Sequence, residues 1–123
     1  MSRISRGIKY AIRAAKLSVC DMRVGAAIFR GPCLISIGWN IGRTHPKSRT
    51  RNNCQHAEFS ALIGTTKSAI AGCDIFVVRV SKLNNLRMAK PCDFCSRLIG
   101  AAGIRRVYFT DHSGNINSYR VMT

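Results

Sequence analysis

Two short motifs, whose first residues have 35 residues between them, constrain this chain more than any other feature. The first is His56-x-Glu58, and the second is Cys92-x-x-Cys95 directly after a proline. Each motif opens a predicted helix, and the cysteine spacing directs both sulfurs the same way from the first helical turn. A helix N-terminus also favours the thiolate that binds metal. Histidine and cysteine are zinc ligands, and three of them leave the fourth position of a catalytic site open. We therefore predict that His56, Cys92 and Cys95 bind Zn²⁺.

Glu58 is the candidate catalytic residue, because it can reach a water molecule beside the metal rather than the metal itself. It would move a proton from that water to the base and the leaving amine. His-x-Glu followed by Pro-Cys-x-x-Cys is the signature of zinc-dependent nucleobase deaminases. A closed structural zinc site, with Cys54 or His45 as fourth ligand, is an alternative that leaves Glu58 without a role. A redox pair is less favoured, because Pro91 precedes the cysteines and the order of elements is wrong.

Hydrophobic periodicity and turn residues predict an alternating order of helices and strands. A basic connector is expected over Lys82–Lys90, and a long polar and basic loop over Asn40–Asn53. The predicted elements are a helix over residues 3–19, strands over Val24–Phe29 and Leu34–Trp39, a helix over Cys54–Ile63 with a weaker helical piece towards Ala71, a strand over Asp74–Val80, a helix from Pro91 to about Ala102, and strands over Arg106–Thr110 and Ile116–Met122.

The last two strands are separated by the turn-forming residues 111–115 alone. A parallel crossover needs a dozen or more residues, so these strands are expected to form an antiparallel hairpin. No repeat or interdomain linker is evident in the sequence. We therefore expect one domain over residues 1–123, an α/β sandwich around a five-stranded mixed sheet.

The formal net charge is +15, from 20 Lys and Arg against 5 Asp and Glu, which favours a polyanionic partner such as nucleic acid or a nucleotide. A purely solvated charge is the alternative. The predicted first helix carries basic residues that could line a phosphate track or form an ordinary solvated face: Arg3, Arg6, Lys9, Arg13 and Lys16. There is no apolar run of about 18 residues, so no membrane span is expected. Six cysteines with only one close pair indicate a reduced protein, which we expect in the cytoplasm.

Nearly the whole chain resembles the cytidine deaminase superfamily, in the branch with a histidine zinc ligand. Val24-Gly25-Ala26-Ala27 resembles the first-strand motif that walls the base pocket, and Gly38-Trp39-Asn40 resembles the end of the second strand. Thr44-His45-Pro46-Lys47 resembles small phage-encoded deaminases. The resemblance implies the three-layer α/β/α fold of that superfamily. The hairpin expected at the end of the chain departs from the tRNA and deoxycytidylate branches, which place a helix between those strands.

The resemblance also implies roles for individual residues. It supports His56, Cys92 and Cys95 as zinc ligands and Glu58 as the proton shuttle. Further substrate contacts are expected from the Ala57 backbone N–H to the base, from Asn40 to the sugar, and from Ala26, Trp39, Arg43, His45 and Lys47.

Four functions follow from this sequence. Deamination of cytosine to uracil in single-stranded DNA or RNA is favoured, because basic residues surround the motifs. Alternatives are a free deoxycytidylate deaminase, adenosine deamination in tRNA or DNA, and a non-catalytic member that binds nucleic acid. Few aromatic side chains are candidates for stacking on bases: Trp39, Phe94, Tyr108, Phe109 and Tyr119. Relatives in this superfamily are often dimers or tetramers, so a homo-oligomer is expected.

Overall fold

The computed structural model describes residues 2–41 and 56–121. The helices are α1 (Arg3–Ala15), α2 (Ala57–Ile63), α3 (Lys67–Ile70) and α4 (Asp93–Ala101). The strands are β1 (Arg23–Arg30), β2 (Cys33–Trp39), β3 (Asp74–Val80), β4 (Leu86–Arg87), β5 (Arg106–Thr110) and β6 (Ile116–Arg120). None of the helices in these two ranges is long and apolar enough to cross a membrane.

Most elements lie where the sequence predicts them, with two corrections. Helix α1 ends at Ala15 rather than at residue 19. The chain turns there, and the Ser18 hydroxyl donates a hydrogen bond to the Asn40 carbonyl oxygen at 2.8 Å. The connector over Lys82–Lys90 contains the two-residue strand β4, which pairs with the end of β3. The sheet therefore has six strands where five were expected.

The sheet is mixed, with the path β2-β1-β3-β5-β6 and β4 beside β3. Strands β3 and β5 are parallel, whereas β1 pairs antiparallel with both β2 and β3. Strands β5 and β6 form the expected antiparallel hairpin. The Asp111 carboxylate closes its turn by accepting hydrogen bonds from the N–H groups of Ser113 and Asn115, each at 2.9 Å.

Helices cover both faces of the sheet, which confirms the three-layer α/β/α arrangement. Helix α1 packs on one face, in a core that includes Ile8, Ala11, Phe29, Phe76 and Val78. Helices α2 and α4 pack on the other face, in a second core formed chiefly by Ile28, Ala57, Ala61, Ile75, Val77, Ile99 and Val107. We call these the α1 face and the site face, because the functional residues lie on the second.

Two glycines allow the helices to approach the sheet. A Cβ atom on Gly25 would meet the backbone of Ala11 and Ala15 in α1. A Cβ atom on Gly38 would meet the backbone of Ala57 and Ala61 in α2. Both positions therefore need a residue without a side chain, and Gly38 in particular sets how closely the start of α2 lies to β2.

Candidate active site

His56 and Cys92 occupy equivalent places, each as the N-cap residue of a helix. Both have extended backbones, with φ/ψ of −70°/149° and −69°/170°. Neither side chain caps its own helix, so the imidazole and the thiol are available to a ligand. Cys95 lies one turn into α4 and is fully buried. The two helix N-termini thus direct their positive ends at the same point.

The three predicted ligands come together in one cluster, with all ligand atoms within 4.8 Å of one another. His56 Nδ1 lies 3.2 Å from Cys95 Sγ and 3.7 Å from Cys92 Sγ. Tetrahedral zinc with Zn–S near 2.3 Å and Zn–N near 2.0 Å places such ligand atoms about 3.5 Å apart. The donor set and its spacing therefore fit zinc with three protein ligands. Cys54 and His45, the alternative fourth ligands, lie outside the described residues.

Glu58 lies beside this cluster in the first turn of α2 and is only 6% exposed. Its carboxylate is not one of the clustered ligand groups. Burial raises the pKa of Glu58, while its own backbone N–H, the charge of His56 and a hydrogen bond with Cys95 lower the pKa in part. Burial, with the neighbouring Glu58 carboxylate, also raises the pKa of the Cys95 thiol. The site thus holds a buried carboxyl group that can exchange a proton without being a metal ligand.

A cavity of about 250 Å³ opens in front of the cluster. His56, Ala57, Glu58 and Cys92 line it, together with Asn40. The remaining wall is apolar except for two cations, and consists of Met22, Val24, Arg79, Met88, Ala89 and Lys90. The first-strand motif had placed Val24 at the pocket wall, and sequence reasoning missed the other five residues of this set. Lys90 could have been found because it directly precedes the Pro91-Cys92 motif, and Arg79 because it is the one charged residue between Ile75 and Val80.

Two of the predicted substrate contacts line the cavity, namely Ala57 and Asn40. Ala57 is the first residue of α2, so its N–H has no partner within the helix. The Asn40 side chain accepts a hydrogen bond from the Val24 N–H at 2.8 Å and donates one to the Met22 carbonyl oxygen at 2.7 Å. These bonds orient the amide and leave one N–H and one lone pair for a ligand.

Two other predicted contacts, Ala26 and Trp39, do not line the cavity. Ala26 is fully buried in the core beneath α2. Trp39 pairs with Gly25 across β1 and β2, so it shares the α1 face of the sheet. Arg43, His45 and Lys47 lie outside the described residues.

The basic stripe of α1 also lies on the α1 face of the sheet, opposite the cluster of His56, Cys92 and Cys95. Arg3 forms an ion pair with Asp74 at 3.7 Å. Arg6 and Arg13 lie over the Tyr10 ring at 5.8 and 5.2 Å from its centroid. The sequence left open a phosphate track or an ordinary solvated face along this stripe, and a track there would lie on the face of the sheet opposite the cavity.

This arrangement can support hydrolysis at a ring carbon. Zinc held by His56, Cys92 and Cys95 would supply a Lewis acid to this site. The carboxyl group of Glu58 can hold a proton and pass it on, because it is buried beside the cavity. The Ala57 N–H and the Asn40 amide offer directional hydrogen bonds to a ligand, and Val24, Met88 and Ala89 provide an apolar wall for a flat ring.

Comparisons with known proteins agree with this chemistry. Residues 1–111 match the family model of the cytidine and deoxycytidylate deaminase zinc-binding region. The match ends just before β6, the second strand of the hairpin. A search of the curated proteins found no match.

Solved structures give two informative similarities. The dCMP deaminase of cyanophage S-TIM5 is 27% identical, with a TM-score of 0.68 over 89% of this chain and 83% of that one. The cytidine deaminase of Burkholderia pseudomallei shares the fold, with a TM-score of 0.72 over 98% of this chain and 94% of that one, at 19% identity. The family match, the His-Cys-Cys cluster and the buried Glu58 converge on one conclusion: the chain belongs to the cytidine and deoxycytidylate deaminase family and is a zinc-dependent nucleobase deaminase.

Proposed function

We propose that this protein, acting as a single domain, deaminates cytosine to uracil in single-stranded DNA or RNA. The observation that carries the proposal is the charge of the cavity wall. Arg79 and Lys90 line the cavity together with His56 and Cys92, and Arg87 on β4 lies directly opposite Arg79. Cations beside the pocket hold a phosphate backbone while the base enters, and they act without regard to sequence.

In this proposal the zinc ligands are His56, Cys92 and Cys95, and Glu58 transfers the proton. Asn40 contacts the sugar, and the Ala57 N–H contacts the base. A base in a duplex cannot reach such a recessed cavity, so the substrate is a single strand or an extruded base. We expect the protein to act in the cytoplasm, where its thiols stay reduced, and to form a homo-oligomer.

Free deoxycytidylate is the second candidate substrate. It is favoured by the 27% identity to the S-TIM5 dCMP deaminase, which has also been solved in complex with dCMP and dUMP. One phosphate needs only one or two cations, which Arg79 and Lys90 could supply. The net charge of +15 exceeds that need and favours a polynucleotide over a single nucleotide.

Mass spectrometry of substrates incubated with the zinc-loaded protein tests the proposal. The set contains a single-stranded oligonucleotide with one cytosine, the same oligonucleotide as a duplex, a matched strand with adenine, deoxycytidylate and deoxycytidine. We expect uracil mainly in the single strand. Turnover of deoxycytidylate alone would replace the proposal with the second candidate, and product from the adenine strand alone would reverse the choice of base. Conversion of none of these substrates would contradict the proposal and would favour the alternative of a non-catalytic member that binds nucleic acid.

A further inference from the structure

Two arginines face each other across β3 and β4 at the wall of the cavity. Arg79 and Arg87 are direct partners in this antiparallel pair, so their side chains leave the sheet on the same face. That face is the site face, because Val24, the partner of Arg79 on β1, also lines the cavity. Like charges placed directly opposite each other destabilise a sheet, so this pairing needs a compensating interaction.

No such interaction is found within residues 2–41 and 56–121. The Nε atom of Arg79 is buried and has no hydrogen-bond partner there. In the same ranges, carboxylates form ion pairs with Arg3, Lys82 and Arg105 but not with Arg79 or Arg87. A buried guanidinium N–H without a partner is costly, and an anion bound in the cavity would satisfy it.

A second pair of directly opposed arginines lies away from the cavity and provides a comparison for the Arg79–Arg87 pair. Arg106 and Arg120 are direct partners on β5 and β6. They lie on the α1 face, away from the zinc cluster, and Arg106 donates a hydrogen bond to Ser118 Oγ at 3.2 Å. Arg120 is exposed, so water can solvate its charge. Arg87 is exposed as well, so the two pairs differ at Arg79. Arg79 is half-buried, it lines the cavity, and its buried Nε atom has no hydrogen-bond partner among the described residues.

We propose that Arg79 and Arg87 form the site that binds a phosphate of the substrate, with Lys90 as a third cation on the same wall. A planar guanidinium offers two parallel N–H donors to phosphate oxygens, which suits arginine to this role. The phosphate could be the monoester of a nucleotide or a diester of a strand. The inference deepens the proposed function, and the Arg79 site would determine preference for phosphate-bearing substrates over nucleosides.

The first test is kinetic and uses the zinc-loaded protein with Arg79→Gln, Arg87→Gln and the control Arg120→Gln. The control also removes one member of an opposed arginine pair, but on the other face. We expect Arg79→Gln to lower kcat/KM for deoxycytidylate and for the oligonucleotide, relative to deoxycytidine, by about tenfold or more, mainly through KM. Arg87→Gln should have a smaller effect in the same direction, and Arg120→Gln should leave the ratio unchanged. An equal loss on all three substrates, or the same loss in the control, would overturn the phosphate site.

A second measurement does not depend on turnover. Inorganic phosphate should raise the Tm of the zinc-loaded wild-type protein and of Arg120→Gln, and should raise it much less in Arg79→Gln. Equal phosphate-induced shifts in all three proteins would refute the site even if the protein proves inactive. If the wild type converts deoxycytidylate but no oligonucleotide, the proposed polynucleotide function fails while the phosphate site stands.

Discussion

The arginines on the two faces of the sheet differ in their interactions with carboxylates. On the α1 face, Asp74 accepts two hydrogen bonds from Arg105, at 3.2 and 2.9 Å, and also pairs with Arg3. On the site face, Arg79 and Arg87 oppose each other with no carboxylate paired to either among the described residues. The surplus of positive charge is therefore not one uniform surface. Part of it pairs with Asp74 on the α1 face, and the part beside the cavity has no carboxylate partner among the described residues, as the proposed phosphate site requires.

The faces differ in their buried carboxyl groups as well. Asp74 on the α1 face is buried but has cations as partners, as expected for a structural group. Glu58 on the site face is buried beside a cavity, and burial raises its pKa. A buried carboxyl group with a raised pKa, next to side chains that can bind a metal, is typical of a residue that transfers protons. The following predictions separate the two faces experimentally.

Replacement of Glu58 should have the largest effect on activity. Glu58→Gln keeps the shape of the side chain but removes the group that holds and releases the proton, so kcat should fall by about 10²–10⁴-fold. Zinc content and Tm should not fall, because the change removes a buried carboxyl group. Product formation and metal analysis of the purified variant check this prediction. Asp93→Asn, which removes an exposed carboxylate from the first turn of α4, is the control and should stay near wild-type activity. Wild-type turnover by Glu58→Gln would exclude Glu58 as the proton carrier.

The two helix-contact glycines provide a matched pair of substitutions, one for each face. Gly25→Ala and Gly38→Ala each place a Cβ atom against helix backbone, so each should reduce the free energy of unfolding by about 1–3 kcal/mol. Only Gly38→Ala moves the start of α2, which carries His56 and Glu58. It should therefore also weaken zinc binding and lower kcat at temperatures well below unfolding. Thermal melts and competition with a zinc chelator measure the two effects. If both variants lose zinc equally, the faces are mechanically coupled and the distinction is wrong.

The sequence was sufficient where the determining signal is local. The apolar runs of Asp74–Val80 and Arg106–Thr110 predicted β3 and β5 with their observed bounds. The short turn over residues 111–115 predicted the antiparallel hairpin, because chain length alone excludes a crossover. The cluster of His56, Cys92 and Cys95 could be predicted because each ligand is the N-cap residue of a helix or lies in its first turn, a position that local sequence determines.

The sequence was insufficient where strand register decides which face a residue occupies. Trp39 was expected near the substrate, but its pairing with Gly25 places it on the α1 face. Arg79 was not expected in the cavity wall, and its place follows from pairing with Val24, which is distant in sequence, and with Arg87 on the short strand β4. Strand β4 was missed because two residues carry no periodicity. These features arise from tertiary pairing, which a single sequence does not encode in a recognisable pattern.

The substitution Asp74→Asn should have the smallest effect on activity but a clear effect on stability. The Asp74 carboxylate accepts hydrogen bonds from Arg105 and forms an ion pair with Arg3. Asp74→Asn removes this negative charge and turns an amide N–H donor towards one of the two guanidinium groups. The free energy of unfolding should therefore fall by about 1–3 kcal/mol. Turnover of every substrate should stay at the wild-type level at low temperature, because Asp74 lies on the α1 face. Arg79→Gln should give the opposite result, with stability retained or increased and phosphate-dependent activity reduced. Urea unfolding and kinetics on both variants provide the comparison. A loss of stability in Arg79→Gln as large as that in Asp74→Asn would mean that Arg79 is a structural residue too, and that the charge on the two faces serves the same purpose.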